Sequence, residues 1–309
     1  MMMTELFEIW EKPQAKKIIM LVGWRQWADA GSISSGLPEY LIEQTNARKI
    51  GEIYTDGYYL FQIPGTHHLV RPLIKLQDGY RREFEEKRNE LFYAGDEEMG
   101  IVIFLGDEPH MNVEQYGRAF FAAAKELGVS RIAGFAGVYG TVPYDRDRQI
   151  HCIYSLPEMK EELDNYALSF SDYEGGSSID SYMVHRAEAE AIPFVAFYGF
   201  VPAYDFSESA VNPQGLRLEQ DFKAWYDIMR RVKHMFGLTI DLSQLQRQGE
   251  QLTEAMDAEV VDFEEKMPQL NIRAYLEQLE ANFTELSFFP LADAWEDGLR
   301  DLFDDEGSE

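Results

Sequence analysis

Two periods run through the apolar positions of this chain. Ile18-Ile19-Met20-Leu21-Val22, closed by Gly23, is an unbroken apolar run of the kind that a strand buried on both faces presents. Behind it, Asp29-Ala30-Gly31-Ser32 offers a capping side chain, and Ile33, Leu37, Leu41 and Ile42 recur at helical spacing. A second strand fits Lys49 to Tyr54. The clearest unit starts at Ile101-Val102-Ile103-Phe104-Leu105, turns through Gly106-Asp107-Glu108-Pro109, and continues as a helix carrying Val113, Tyr116, Phe120, Ala123, Ala124 and Leu127. Gly128 is placed to end that helix, and Arg131 to Phe135 begins the next strand. Strand, helix and strand in this order predict a right-handed βαβ crossover. The pattern returns where Ser177 or Ser178 opens a helix through Tyr182, His185 and Ala189, ahead of a strand from Pro193 to Tyr198. A mostly parallel sheet is therefore expected.

Elsewhere the pattern changes. Between Tyr54 and Met99, aromatic and β-branched residues mixed with Gly57, Pro64, Gly65, Pro72 and Gly79 predict hairpins or irregular loops. From Pro213 onward the chain turns helical: Phe222, Trp225, Tyr226, Met229 and Val232 form one stripe, and Gly237 is a natural stop. Ser243 to Gln246 reads as a capping box ahead of Leu252, Met256, Val260 and Phe263, and Pro268 begins a last helix with Leu276, Leu279, Phe283 and Leu286. Two stripes joined by a short turn predict an αα-hairpin. The expected organisation is an α/β core over residues 1–237, a C-terminal helical hairpin over 238–288 and an acidic tail over 289–309, with no internal repeat.

Composition narrows the partners. With 309 residues, 45% hydrophobic and 14% aromatic, the chain has ample apolar surface to offset chain entropy. Its 55 acidic and 28 basic residues give a formal charge of −27, which argues against nucleic acid and anionic membranes as partners. The excess is uneven: Asp241 to Glu309 holds 19 acidic and 4 basic residues, a net of −15. In the tail, Trp295, Leu299, Leu302 and Phe303 fall at i, i+4, i+7 and i+8, one apolar face for a partner or for the chain's own core. Cys152 is the one cysteine, as expected of a reducing compartment, and the first residues lack a secretory pattern, so the expected location is the cytoplasm.

Candidate chemistry gathers where loops leave the carboxyl ends of parallel strands, since such ends converge on a crevice. Asp29 with Gly31 in its turn, Glu108 and Arg146 are the polar groups expected to meet there, joined by Gly176 and Ser177 at a helix start. Two carboxylates beside a guanidinium suit a sugar or an amine, or acid–base work by one raised carboxyl. The plainer reading is that Asp29 caps a helix, Glu108 starts the next, and Arg146 neutralises them. Gly175-Gly176-Ser177-Ser178 lacks the lysine and spacing of a Walker loop, and Gly134, Gly137 and Gly140 miss the dinucleotide fingerprint. His151 and Cys152 are strand neighbours and face opposite ways, and His67-His68 has the same defect as a chelate. No H-E-x-x-H or G-x-S-x-G occurs. These residues assign no catalytic group, metal or cofactor.

Taken in order, Asp29-Ala30-Gly31, Gly106-Asp107-Glu108-Pro109, Val142-Pro143-Tyr144-Asp145-Arg146, Tyr173-Glu174-Gly175-Gly176, Val201-Pro202-Ala203-Tyr204 with Asn212-Pro213, and Tyr275-Leu276-Glu277-Gln278-Leu279-Glu280 resemble the proteasome assembly chaperone 2 family in its prokaryotic branch. The likeness spans roughly Phe7 to Leu286. It implies a three-layer α/β/α fold with a mixed sheet, like that of phosphorylases and hydrolases, and homo-oligomers, trimers in bacterial members. It also implies protein partners and a non-catalytic assembly or scaffold role. The alternative is a phosphorylase- or hydrolase-like enzyme or small-ligand binder that uses the strand-end crevice; a purely structural oligomer is a third reading. Two departures stand out. Pro143-Tyr144-Asp145-Arg146 replaces the family's Pro-His-Thr-Arg, so only proline and arginine carry over, and the ending Gly307-Ser308-Glu309 lacks the hydrophobic-Tyr ending of proteasome-binding relatives.

Overall fold

In the computed structural model, residues 6–63, 70–205 and 215–288 are described. The apolar run at Ile18 forms β2 (Lys17–Arg25), preceded by a short β1 (Phe7–Ile9) and followed by α1 (Gly36–Gln44) and β3 (Arg48–Ile53). A separate two-stranded hairpin, β4 (Ile74–Gln77) and β5 (Tyr80–Phe84), precedes β6 (Glu90–Gly95). The predicted crossover is β7 (Met99–Asp107), α2 (Val113–Glu126) and β8 (Val129–Gly140). Next come β9 (Ile150–Tyr154), α3 (Met159–Leu163), β10 (Ser169–Phe170), α4 (Ile179–Ala189), β11 (Phe194–Asp205) and β12 (Gly215–Arg217). The described chain ends in α5 (Phe222–Phe236), α6 (Ser243–Lys266) and α7 (Ile272–Asn282).

The main sheet runs β1-β3-β6-β7-β2-β8-β11-β9-β10, with β12 beside β11. Its centre, β7-β2-β8-β11, is parallel throughout, and antiparallel pairs flank it. Alternation along β2 then divides the core. Ile19 and Leu21 pack with Leu37 and Leu41 of α1 and with Trp225, Ile228 and Val232 of α5. Ile18, Met20, Val22 and Trp24 pack with Tyr116 and Phe120 of α2 and Met183 of α4. Helices thus cover both faces, the expected α/β/α arrangement. The α6–α7 hairpin extends the first of these clusters through Leu245, Met256, Val260, Ile272 and Leu276.

Local stops follow the residues. Gly128 (φ +70°) ends α2, and Gly237 (φ +69°) ends α5. Ser178 caps α4 by accepting from the Ser181 N–H at 3.2 Å. The predicted Ser243–Gln246 box does not form: Ser243 donates both its N–H and its hydroxyl to Asp241, because a carboxylate two residues upstream is the stronger acceptor. Pro268 starts only a single 3₁₀ turn, Pro268–Leu270, and α7 opens after Asn271 turns left-handed at φ +47°.

Candidate functional site

The carboxyl end of β2 leads into Gln26-Trp27-Ala28-Asp29, a loop that crosses directly over β8. Gly137 permits the crossing: a Cβ there would lie 2.0 Å from the Ala30 carbonyl, and the Gly137 N–H instead donates to Ala28 at 2.9 Å. Asp29 accepts from the Ser34 and Ser35 N–H groups at 2.7 and 3.0 Å and from the Ser35 hydroxyl at 2.6 Å. Burial outweighs these bonds and raises its carboxyl above the ordinary range. Gly31 (φ +63°) turns toward α5, and its carbonyl accepts from the Trp225 indole at 2.9 Å and the Asp221 N–H at 3.0 Å.

Glu108, at the end of β7, faces the N–H groups of Trp27, at 3.4 Å, and Ile179; burial raises it too. The residue that joins these two carboxylates is Asp180, in the first turn of α4. It is fully buried, one oxygen accepts from the Gln26 amide, and Oδ1 has no hydrogen-bond partner. Burial first, then the charges of Glu108 and Asp29, push its carboxyl up to about 7, although the Gln26 bond works the other way. Gln26 also donates to Ser34 Oγ at 2.8 Å.

Beside these acids lies a cavity of about 220 Å³. It is lined by Trp27 and Ala28, by Val138 of β8, by Tyr198 and Phe200 of β11, and by His151 and Ile153 of β9. Ser171, Tyr173 and Gly176, from the loop between β10 and α4, complete it with Ser178 and Ser181. Ser178 Oγ lies 3.0 Å from the Tyr198 hydroxyl, and His151 packs on Phe200 with ring centres 4.6 Å apart. Burial lowers the His151 imidazole, which keeps it neutral near pH 7. Trp27 and Tyr173 stand at the rim, 63% and 70% exposed. Of the residues expected at the crevice, Asp29 and Glu108 both act on Asp180 and Gly176 lines the cavity, whereas Ser177 turns aside to Ser181 Oγ at 2.9 Å.

Arg146 goes elsewhere. It pairs with Asp145 at 3.6 Å and with Glu280 of α7 at 3.5 Å. Its whole loop is tied to the C-terminal helices: Tyr144 donates to Asp257 of α6 at 2.6 Å, and Asp147 N–H donates to Glu285 at 2.9 Å. The organising arginine is Arg148, 2% exposed. Its Nε and Nη2 grip Asp221 at 2.7 and 3.3 Å, and its Nη1 donates to the Tyr144 and Arg146 carbonyls at 2.8 and 3.0 Å. Asp221 in turn caps α5 through the Ala224 N–H at 3.0 Å.

Cys152 faces the α5 side, and burial pushes its thiol up to about 12, so it is no nucleophile. Among the described residues no group of three or more His, Cys, Asp or Glu is arranged to hold a metal ion, and no helix is long and apolar enough to cross a membrane. Trp295, Leu299, Leu302 and Phe303 lie outside the described residues.

The PAC2 family profile matches residues 24–260. The chain belongs to the PAC2 family. Solved structures repeat the fold. A Mycobacterium tuberculosis proteasome-assembly chaperone homologue is 20% identical over 78% of this chain and 94% of its own, with a TM-score of 0.66. A second M. tuberculosis protein, of unknown function, is 17% identical over 90% of this chain and 92% of its own, at 0.71. The Pyrococcus furiosus archaeal proteasome activator PbaB is 17% identical over 82% and 99%, at 0.57. No curated protein matches this PAC2 chain. At such identities the shared property is the fold, and the PAC2 profile runs from Trp24 in β2 to Val260 in α6.

Proposed function

We propose that this PAC2-family chain is a non-catalytic assembly or scaffold protein that acts as a homotrimer in the cytoplasm and binds other proteins. The observation that carries the reading is the β4–β5 hairpin. It stands apart from the main sheet, and Leu73, Ile74, Leu76 and Tyr80 on and beside it are all exposed. A lone two-stranded hairpin with apolar side chains in water is marginal unless another surface covers it. Val70 to Arg88 holds six basic and four acidic residues, a net of +2 in a chain of −27. Its complement in charge is the acidic C-terminal part of a second copy, so a subunit of the same protein is the occupant. Relatives described as a proteasome-assembly chaperone homologue and a proteasome activator support a role with protein partners.

Light scattering on the full chain is expected to return about three times the 35.7 kDa subunit mass. Leu76→Glu with Tyr80→Glu is expected to leave monomers of unchanged far-ultraviolet circular dichroism, because both side chains are exposed. A wild-type mass of one subunit across micromolar concentrations ends the reading. Deleting residues 291–309 tests the tail: recruitment of a partner predicts an unchanged mass and melting temperature with loss of that partner. A lower melting temperature or dissociation instead assigns the tail to the folded assembly.

The second reading, a small-ligand binder, is favoured by the aromatic cavity beside Asp29, Glu108 and Asp180. It involves neither the hairpin nor the tail, so the two readings fail separately.

A further inference from the structure

The expectation of two carboxylates beside a guanidinium left the ligand's charge open. The structure removes the guanidinium and adds a third carboxylate. Arg146 is held by Glu280 at α7, and the residues that line the 220 Å³ cavity include no charged side chain. Five of the lining side chains are rings, the exposed Trp27 and Tyr173 together with Tyr198, Phe200 and neutral His151.

Each carboxylate is one step from this wall. Asp29 follows Ala28, Glu108 faces the Trp27 N–H at 3.4 Å, and Asp180 sits between Ile179 and the lining residue Ser181. Asp180 also acts on Tyr198, whose hydroxyl is raised by burial first and by that carboxylate second. A ring face is the negative side of an aromatic quadrupole, and several faces around one space attract an alkylammonium group while shedding its water. Carboxylates behind the rings add negative potential with no cation among the lining residues to cancel it. An anion meets repulsion from the same groups, and Arg25, the cation that acts on Asp29, is not among the lining residues.

We propose that the aromatic cavity at the carboxyl ends of β2, β8 and β11 binds a small organic cation with an alkylammonium head. The inference stands apart from the assembly role: it holds or fails whatever the oligomeric state. It also assigns Trp27 and Tyr173, which no motif singles out as ligand contacts, to the ligand.

Choline, its uncharged isostere dimethylbutanol, and inorganic phosphate are the probes, each titrated calorimetrically into the full-length protein. Choline is expected to bind at least about tenfold more tightly than dimethylbutanol, and phosphate not to bind. Trp27→Ala is expected to weaken choline about tenfold, and Tyr173→Ala several-fold, with melting temperatures unchanged because both rings are exposed. Equal binding of choline and dimethylbutanol overturns the proposal. So does phosphate binding, choline binding that ignores both substitutions, or no heat with choline at millimolar concentration.

Discussion

Arg148→Ala is expected to destabilise the protein by about 3–5 kcal/mol, measured as a fall in the urea midpoint near neutral pH. Arg148 and Asp221 are both buried, and their bidentate contact is the principal compensation for two charges taken out of water. Removing the guanidinium leaves the carboxylate with one donor, the Ala224 N–H, in a setting where a lone charge is costly. It also strips the Tyr144 and Arg146 carbonyls of their donor, so the loop after β8 loses its inner support. Arg146→Ala is the comparison. That side chain is half-exposed and its two pairs are long, so its loss is expected to cost under about 1 kcal/mol. Equal effects of the two substitutions contradict the assignment of Arg148 as the organising arginine.

Asp180→Asn is expected to stabilise the protein, by up to about 4 kcal/mol above pH 7 if the full difference between a carboxyl near 7 and an ordinary one is realised. The sign follows from proton binding. Between its unfolded value near 4 and its folded value near 7, Asp180 holds more proton in the native state than in the unfolded one, so this group's contribution to stability falls as pH rises through that window. Below the window the native and unfolded states are both protonated, and its contribution is intact. Asparagine is nearly isosteric with aspartate, and its carbonyl oxygen can keep accepting from the Gln26 amide. Melting curves of wild type and variant should converge at about pH 4 and separate progressively up to about pH 7, then run parallel. A gap that does not change with pH assigns the effect to packing instead.

The centre of this fold was legible because its signals are local. An unbroken apolar run such as Ile18 to Val22 needs no partner to be read as a buried strand, and Gly128 and Gly237 stop their helices by a backbone preference of their own. The antiparallel flanks were not legible, since the pairing of β6 with β7 and β3 depends on contacts across long sequence distances. That Asp29 and Glu108 lie at the same edge of the parallel strands followed from topology alone. Asp180 did not, because an acid in a helix's first turn ordinarily faces water and favours the dipole; only its burial behind Gln26 and against Gly134 sets it apart. Arg146 and Arg148 are two residues apart in one loop, and nothing in that spacing says which one the helices cover. The Ser243 box failed for a similar reason: a motif competes with every nearby acceptor, and Asp241 was nearer.

Strand β8 and the loop that follows it reach two parts of the molecule. Val138 is part of the cavity wall, and ten residues on Arg148 is locked beneath α5 while Tyr144 and Arg146 hold α6 and α7. The loop therefore joins the strand beside the cavity to the C-terminal helices. Any displacement of the α6–α7 hairpin would therefore be felt at Val138 through one stretch of backbone, and by linkage anything that fixed the cavity wall would resist that displacement by the same free energy.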